Sequence, residues 1–182
     1  MNAALAAMVF APALALGSFL NVVVARLPEH RSLVRPRSAC PRCGHELAWW
    51  ENVPLVSYAA LRGRCRGCKA AISWRYPAVE LATAALVAAC FWHFGLTGDA
   101  LVAAYFCAVL VALSAIDVER RILPNAIVLP SFVLVLSAQL ALHPDQALEW
   151  VLGALGASLF LFAALLAYPK GMGMGDVKLA LL

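Results

Sequence analysis

Five apolar stretches, each long enough to cross a bilayer, take up most of this 182-residue chain and leave little else to fold. A hydrocarbon core about 30 Å thick needs roughly 20 apolar residues in a helix. Such stretches lie near Ala3 to Ala25, Ala78 to Gly95, Ala100 to Ile116, Ala126 to Leu142 and Gln146 to Tyr168. The composition agrees, at 64% hydrophobic and 13% charged, which is far from a soluble domain. The expected fold is therefore an all-α polytopic membrane protein with about five complete transmembrane helices. A sixth apolar segment begins at Val177 and reaches the last residue, Leu182, too soon to span, so a truncated sixth helix is expected.

The first stretch is too long for the apolar region of a secretory signal, and no Lys or Arg precedes Arg26, so it reads as a retained helix. Charge then sets orientation, because short loops rich in Lys and Arg stay in the cytoplasm. Of the 14 basic residues, ten fall between Arg26 and Arg75. That loop is expected inside and the N-terminus outside. Counting helices forward puts the turns at Asp99 and at His143 to Asp145 outside, and those with Arg120, Arg121 and Lys170 inside. The same count divides the chain into a first transmembrane helix (residues 1–25), a cytoplasmic loop domain (26–77) and a membrane-embedded core (78–182).

The loop carries four cysteines in two knuckles, Cys40-Pro41-Arg42-Cys43 and Cys65-Arg66-Gly67-Cys68. Two CxxC pairs about 20 residues apart match a zinc ribbon, in which four thiolates close a tetrahedral structural site. Disulfides or redox pairs fit less well, since a cytoplasmic loop is reducing and no βαβ pattern surrounds either pair. A loop with so few large apolar residues would draw much of its folding energy from the metal. His45 could replace one ligand, although a solvated loop histidine is the simpler reading. Cys90 and Cys107 fall inside apolar spans and read as small buried side chains. The basic excess of the loop suits anionic lipid headgroups and needs no nucleic acid.

Two carboxylates remain. Asp117 stands at the end of the third apolar stretch, and Asp176 closes the run Gly171-Met172-Gly173-Met174-Gly175-Asp176. Charge placed beside hydrocarbon is costly, so two acids in comparable settings suggest chemistry. The charge count brings both to the cytoplasmic face. A close carboxylate pair shares a proton, and can deprotonate water for attack on a carbonyl and protonate the leaving amine. The glycine run offers backbone that an extended substrate can approach. The plainer alternatives are a helix N-cap for Asp176 and a charge balanced by Arg120 and Arg121 for Asp117.

Taken in order along the chain, a set of blocks resembles the bacterial type IV prepilin peptidases, which are GxGD intramembrane aspartic proteases. The blocks are Gly17-Ser18-Phe19-Leu20-Asn21-Val22-Val23 with Arg26-Leu27-Pro28, both knuckles, Asn52-Val53-Pro54-Leu55-Val56-Ser57-Tyr58, and Arg62-Gly63-Arg64-Cys65. Further on come Arg75-Tyr76-Pro77 with Glu80-Leu81, Ile116-Asp117 with Leu123-Pro124, and Gly173-Met174-Gly175-Asp176-Val177-Lys178-Leu179.

This resemblance implies that Asp117 and Asp176 are the catalytic dyad of an enzyme in the bacterial inner membrane. Its substrates would be prepilins or pseudopilins, cleaved between a short basic leader and an apolar helix. It also implies S-adenosylmethionine as the donor for N-methylation of the new N-terminus, and a zinc-bearing loop held by Cys40, Cys43, Cys65 and Cys68. Members of the family continue past the GxGD helix, so the core is expected to be incomplete here. Glu80 and Asn21 are polar groups at the membrane and are candidates for substrate or polar-network contacts. A presenilin-like protease would share the glycine motif but not the knuckles. A non-enzymatic assembly factor with a zinc-stabilised docking loop is the alternative from a different class.

Overall fold

All five apolar stretches form helices in the computed structural model, which describes residues 2–168 and 173–182. Lys170 and Gly171, used above in the charge count and the glycine run, lie outside the described residues. The long helices are α1 (Asn2–Arg26), α3 (Arg75–Phe94), α4 (Gly98–Arg120), α5 (Asn125–Leu142) and α6 (Ala147–Ala167). Two short ones complete the set, α2 (Val56–Ala60) in the loop and α7 (Met174–Leu179) at the end. The five long helices have the length and apolarity to cross a membrane. The protein is an all-α multi-pass membrane protein.

Helix ends follow local chemistry more than apolarity. α3 begins three residues ahead of the expected Ala78, at Arg75, and α4 runs on past Asp117 to Arg120. Arg75 and Glu119 form an ion pair across these two extensions, so polar partners lengthen what hydropathy alone would stop. α4 ends where Arg121 turns to φ 54° and donates its N–H to the Asp117 carbonyl. Two residues later Leu123 precedes Pro124, a position that disfavours helix. Pro124, lacking an N–H, then starts α5 as its N-cap.

The tightest seam joins α1 to α3 and is made possible by Gly17. A Cβ there would lie 2.6 Å from the Glu80 Cα, so only glycine lets the two backbones approach this closely. Along the seam, Ala13, Ala84, Val87, Cys90 and Phe91 form one buried cluster with Ala100 and Ala104 of α4. Nearer the loop, Leu20, Val24, Val79, Ala108, Ala112 and Ile116 form a second. Cys90 is thus a buried core residue, and its Sγ lies 3.9 Å from that of the half-buried Cys107. α6 contributes no buried residue and packs mainly along α5 and α7, which leaves most of its apolar surface for lipid.

The bundle has two distinct ends. At one, the turn before α4 meets the turn after α5: Gly98 packs on Leu142, and His143 Nε2 lies 2.7 Å from Asp99 Oδ1. At the other end sit the loop domain, Asp117 and Asp176. Arg120 donates to Glu29 at 2.7 Å and to the Ala25 carbonyl, tying the end of α4 to the end of α1. Within the loop, each knuckle is closed by an isolated β-bridge, Ala39 with Glu46 and Arg64 with Ala71, and no strand forms among the described residues. This matches the small zinc-ribbon-like loop expected from the sequence.

Candidate active site and metal centre

Asp117 is exposed in the last turn of α4, and two ion pairs on the residues just after it hold that turn in place. Arg120 is engaged by Glu29, so it does not serve as the counter-charge considered for Asp117 above. Asp176, also exposed, lies in the first turn of α7, where its carboxylate accepts the Gly173 N–H at 3.1 Å. It stands at the third helical position and bonds back to Gly173, the N-cap residue, so it is not itself the N-cap that the plainer alternative held. That role does not remove it from the site.

Register puts the two acids near the same end of the bundle. Val109, Leu113 and Val128 form a buried cluster against which Leu179 and Leu182 pack. Residues three or four apart share a helix face. Asp117 follows Leu113 by four, and Asp176 precedes Leu179 by three, so each acid lies about one turn along its own helix from a residue of this cluster or packed on it. α7 is seated there by further contacts. Gly175 lies so close to Leu123 that a Cβ would be 3.2 Å from that side chain, and Lys178 Nζ donates to Asn125 Oδ1 at 3.0 Å. On its other side, Ser158 Oγ of α6 donates to the Val177 carbonyl at 3.0 Å.

The four loop cysteines converge. Their sulfurs all lie within 4.8 Å of one another, with Cys40 to Cys68 at 3.8 Å and Cys43 to Cys65 at 3.9 Å. A tetrahedron of thiolates with metal–sulfur bonds of about 2.3 Å has edges of about 3.8 Å. This is far longer than a disulfide, and the thiols are free. The two knuckles repeat one backbone pattern: Cys40 N–H bonds the His45 carbonyl and Gly44 N–H the Cys40 carbonyl, as Cys65 N–H bonds Ala70 and Lys69 N–H bonds Cys65. Backbone N–H groups of Arg42 and Cys43 bring the Cys40 thiol down to about 6, which favours the thiolate a metal needs. At Cys43 the His45 N–H pulls down, but the Cys68 thiol, burial and its other thiol neighbours push it up to about 11.

His45 is not a ligand. Its Nε2 lies 3.2 Å from Glu51 Oε2, and Glu51 also accepts the Ala48 N–H at 2.8 Å. These two donors, the backbone one first, hold the Glu51 carboxyl below the usual carboxylate range. Glu51 was not singled out from the sequence, because a lone glutamate in a polar loop gives no signal until its 0% side-chain exposure is seen. Arg66, between the second pair of cysteines, stacks over Trp50 at 4.9 Å.

Glu80 and Asn21 form the joint between loop and helices. Glu80 Oε2 accepts the Leu55 N–H at 2.9 Å, and Leu55 sits at φ 58°, a left-handed conformation unfavourable for leucine. Asn21 Nδ2 donates to the Tyr76 carbonyl, while its buried Oδ1 has no partner among the described residues. Both residues thus serve the polar network anticipated for them.

Residues 12–94 match the bacterial peptidase A24 N-terminal domain, and residues 104–182 match the type IV leader peptidase family. The protein of Pseudomonas aeruginosa named prepilin leader peptidase/N-methyltransferase is 44% identical over 194 aligned residues, covering 91% of this chain and 67% of its own length. The chain belongs to the type IV leader peptidase family. Proteins of the same name from Myxococcus xanthus and Burkholderia pseudomallei are 47% and 41% identical, over 82% and 91% of this chain. The chain spans 44% and 63% of those two leader peptidases. No solved structure matches. Both halves of the site lie in the matched segments, the knuckles and Glu80 in the first and the two aspartates in the second.

Proposed function

We propose that this protein is an intramembrane aspartic endopeptidase that removes the leader of prepilins or pseudopilins, with Asp117 and Asp176 as its catalytic pair. The observation that carries this is their common register above the Val109, Leu113 and Val128 cluster, together with family membership. One carboxylate, ionised, takes a proton from water as the water oxygen bonds the scissile carbonyl carbon. The other, protonated, gives its proton to the carbonyl oxygen. When the tetrahedral intermediate collapses, the carbon–nitrogen bond breaks and the amine leaves with a proton from the pair. The exposed backbone at Gly173 gives an extended substrate room beside Asp176.

In this reading the end of the bundle with the loop domain faces the cytoplasm of a bacterium, the N-terminus lies outside and the membrane is the inner one. The basic loop supports that orientation through the positive-inside bias. A basic leader would then remain on the side where the aspartates stand. Zinc is the metal proposed for Cys40, Cys43, Cys65 and Cys68, since four sulfurs at these separations suit its tetrahedral preference and leave no open position. Its role is to hold the loop folded.

The relatives' name also points to N-methylation of the newly exposed N-terminus. A groove of about 450 Å³ lined by Arg37, Ser38, Leu47, Ala48, Trp49 and Asn52 has side chains that suit S-adenosylmethionine. Trp49, 83% exposed, offers a face for an adenine, Arg37 a partner for a carboxylate and Asn52 a donor and an acceptor. When bound, that cofactor supplies the methyl group.

The test of the peptidase reading is processing of a prepilin reporter by the complete natural protein. Asp117→Asn and Asp176→Asn should each lower the rate by about three orders of magnitude or more. Cleavage at the unaltered rate by either variant would refute the catalytic pair.

A further inference from the structure

We propose that Lys178 is a positioning residue that seats Asp176 opposite Asp117 by acting through Asn125. The inference rests on the catalytic reading of the two aspartates and assigns a role to a side chain outside the pair. α7 has six residues, too few for a helix that is stable by itself. Its place must come from its neighbours.

Those neighbours divide into two kinds. Leu179 and Leu182 pack on Val109, Leu113 and Val128, and Gly175 rests on Leu123. Apolar contact of this sort is non-directional and tolerates rotation or sliding of a short helix. Directional ties are few. Ser158 holds the Val177 carbonyl from the α6 side, and Lys178 Nζ bonds Asn125 Oδ1 at 3.0 Å from the side of Asp117. Asn125 is the first residue of α5 and lies on the short turn that begins at the end of α4. The Lys178 to Asn125 bond therefore closes a ring. It runs from Asp117 through the turn to Asn125, across the bond to Lys178, and two residues back to Asp176.

Lysine suits the task. Its long stem packs along α7 while the ammonium reaches a polar partner at the edge of the bundle. A hydrogen bond from a charged donor is shorter and stronger than one between neutral groups. Residues two apart on a helix point to different sides, so Lys178 does not share the face of Asp176 and is placed to orient it rather than to touch the reacting atoms. Two other arginines at this end are engaged elsewhere, Arg75 with Glu119 and Arg120 with Glu29.

The experiment uses the complete natural protein in membranes and two readouts. The first needs no catalysis. Gly175→Cys combined with Leu123→Cys places two thiols where a Cβ at 175 lies 3.2 Å from the Leu123 Cβ, near the separation a disulfide needs. Oxidation should form this crosslink quickly, as followed by mass spectrometry of the joined peptide. Adding Lys178→Met should slow it about fivefold or more, and Lys178→Arg, which keeps a charged donor, should restore it to within about twofold. The second readout is prepilin cleavage without the added cysteines. Lys178→Met should reduce kcat by about 10- to 100-fold with KM within about twofold, because misplacing a reacting group costs rate more than binding. Asn125→Leu should behave like Lys178→Met, and Asn125→Asp, which keeps an acceptor, should behave like the natural protein.

An unchanged crosslinking rate in Lys178→Met overturns the proposal whatever the cleavage result. So does a rise in KM at constant kcat, which would place Lys178 on the substrate instead. Natural cleavage rates in Asp176→Asn overturn the catalytic reading and this role with it, whereas a dead Asp176→Asn with a fully active Lys178→Met overturns only the positioning role.

Discussion

Replacing Gly17 with alanine should force α1 away from α3 and destabilise the joint that carries the loop. The added Cβ would stand 2.6 Å from the Glu80 Cα, 3.1 Å from its carbonyl oxygen and 3.2 Å from the Thr83 Cβ. Carbon atoms pack best at about 3.5 to 4.0 Å, so the backbones must part by about 1 Å. Two of the three obstacles are backbone atoms and cannot rotate away. Overpacking of this kind costs about 1 to 3 kcal/mol, while alanine in a helix interior regains about 1 kcal/mol over glycine. The net expectation is a loss of up to about 2 kcal/mol for Gly17→Ala, and a larger one for Gly17→Val, which adds bulk at the same point. Gly153→Ala is the control, because a Cβ there meets nothing within 4 Å and only the helix preference should register. Unfolding of the purified protein by sodium dodecyl sulfate, followed by circular dichroism, measures all three. If Gly17→Ala proves more stable than the natural protein by the same amount as Gly153→Ala, the close approach of α1 and α3 argued here is wrong.

Other outcomes follow from the same contacts. A strong chelator should release about one metal ion per chain from the knuckles and make residues 38–72 sensitive to protease while the helices stay folded, and a loop whose protection is unaffected would refute its dependence on metal. Glu51 has a lowered carboxyl in the folded protein, so its contribution to loop stability is complete above the ordinary carboxylate value of about 4.3 and is lost as pH falls through the lowered one. The stability difference between natural protein and Glu51→Gln should accordingly shrink as pH falls below about 4, as urea titration followed by tryptophan fluorescence would report. Glu80→Ala removes the acceptor that holds Leu55 at φ 58°, so hydrogen exchange at the Leu55 amide should rise by about tenfold or more without loss of helix content.

Much of this protein is legible in its residues because membranes and thiols impose short-range rules. A run such as Ala147 to Ala167 has to be helix, and its lack of any fully buried residue in the structure is what lipid-facing sequence permits. The CxxC spacing fixes a tight turn on each side of the cluster, which is why Cys40, Cys43, Cys65 and Cys68 meet as expected. The start of α3 at Arg75 and the extension of α4 to Arg120 were less legible, since each depends on a charged partner from a distant segment. Glu51 was invisible for a different reason: its partners Ala48 and His45 are close in sequence, but its burial exists only in the folded loop.

By itself, the amino-acid order determined the helices, the cysteine cluster and the two acids, since hydrophobic length, cysteine spacing and the glycine-aspartate motif act over a few residues. Only the tertiary structure decided how they combine. Gly17 sets the distance between α1 and α3 because a missing Cβ matters only where another backbone arrives. Leu113 and Leu179, far apart in the chain, meet at one cluster about one turn from Asp117 and Asp176, and Lys178 meets Asn125 beside it. Apolar burial is indifferent to sequence separation, so which residues meet over it is settled by packing.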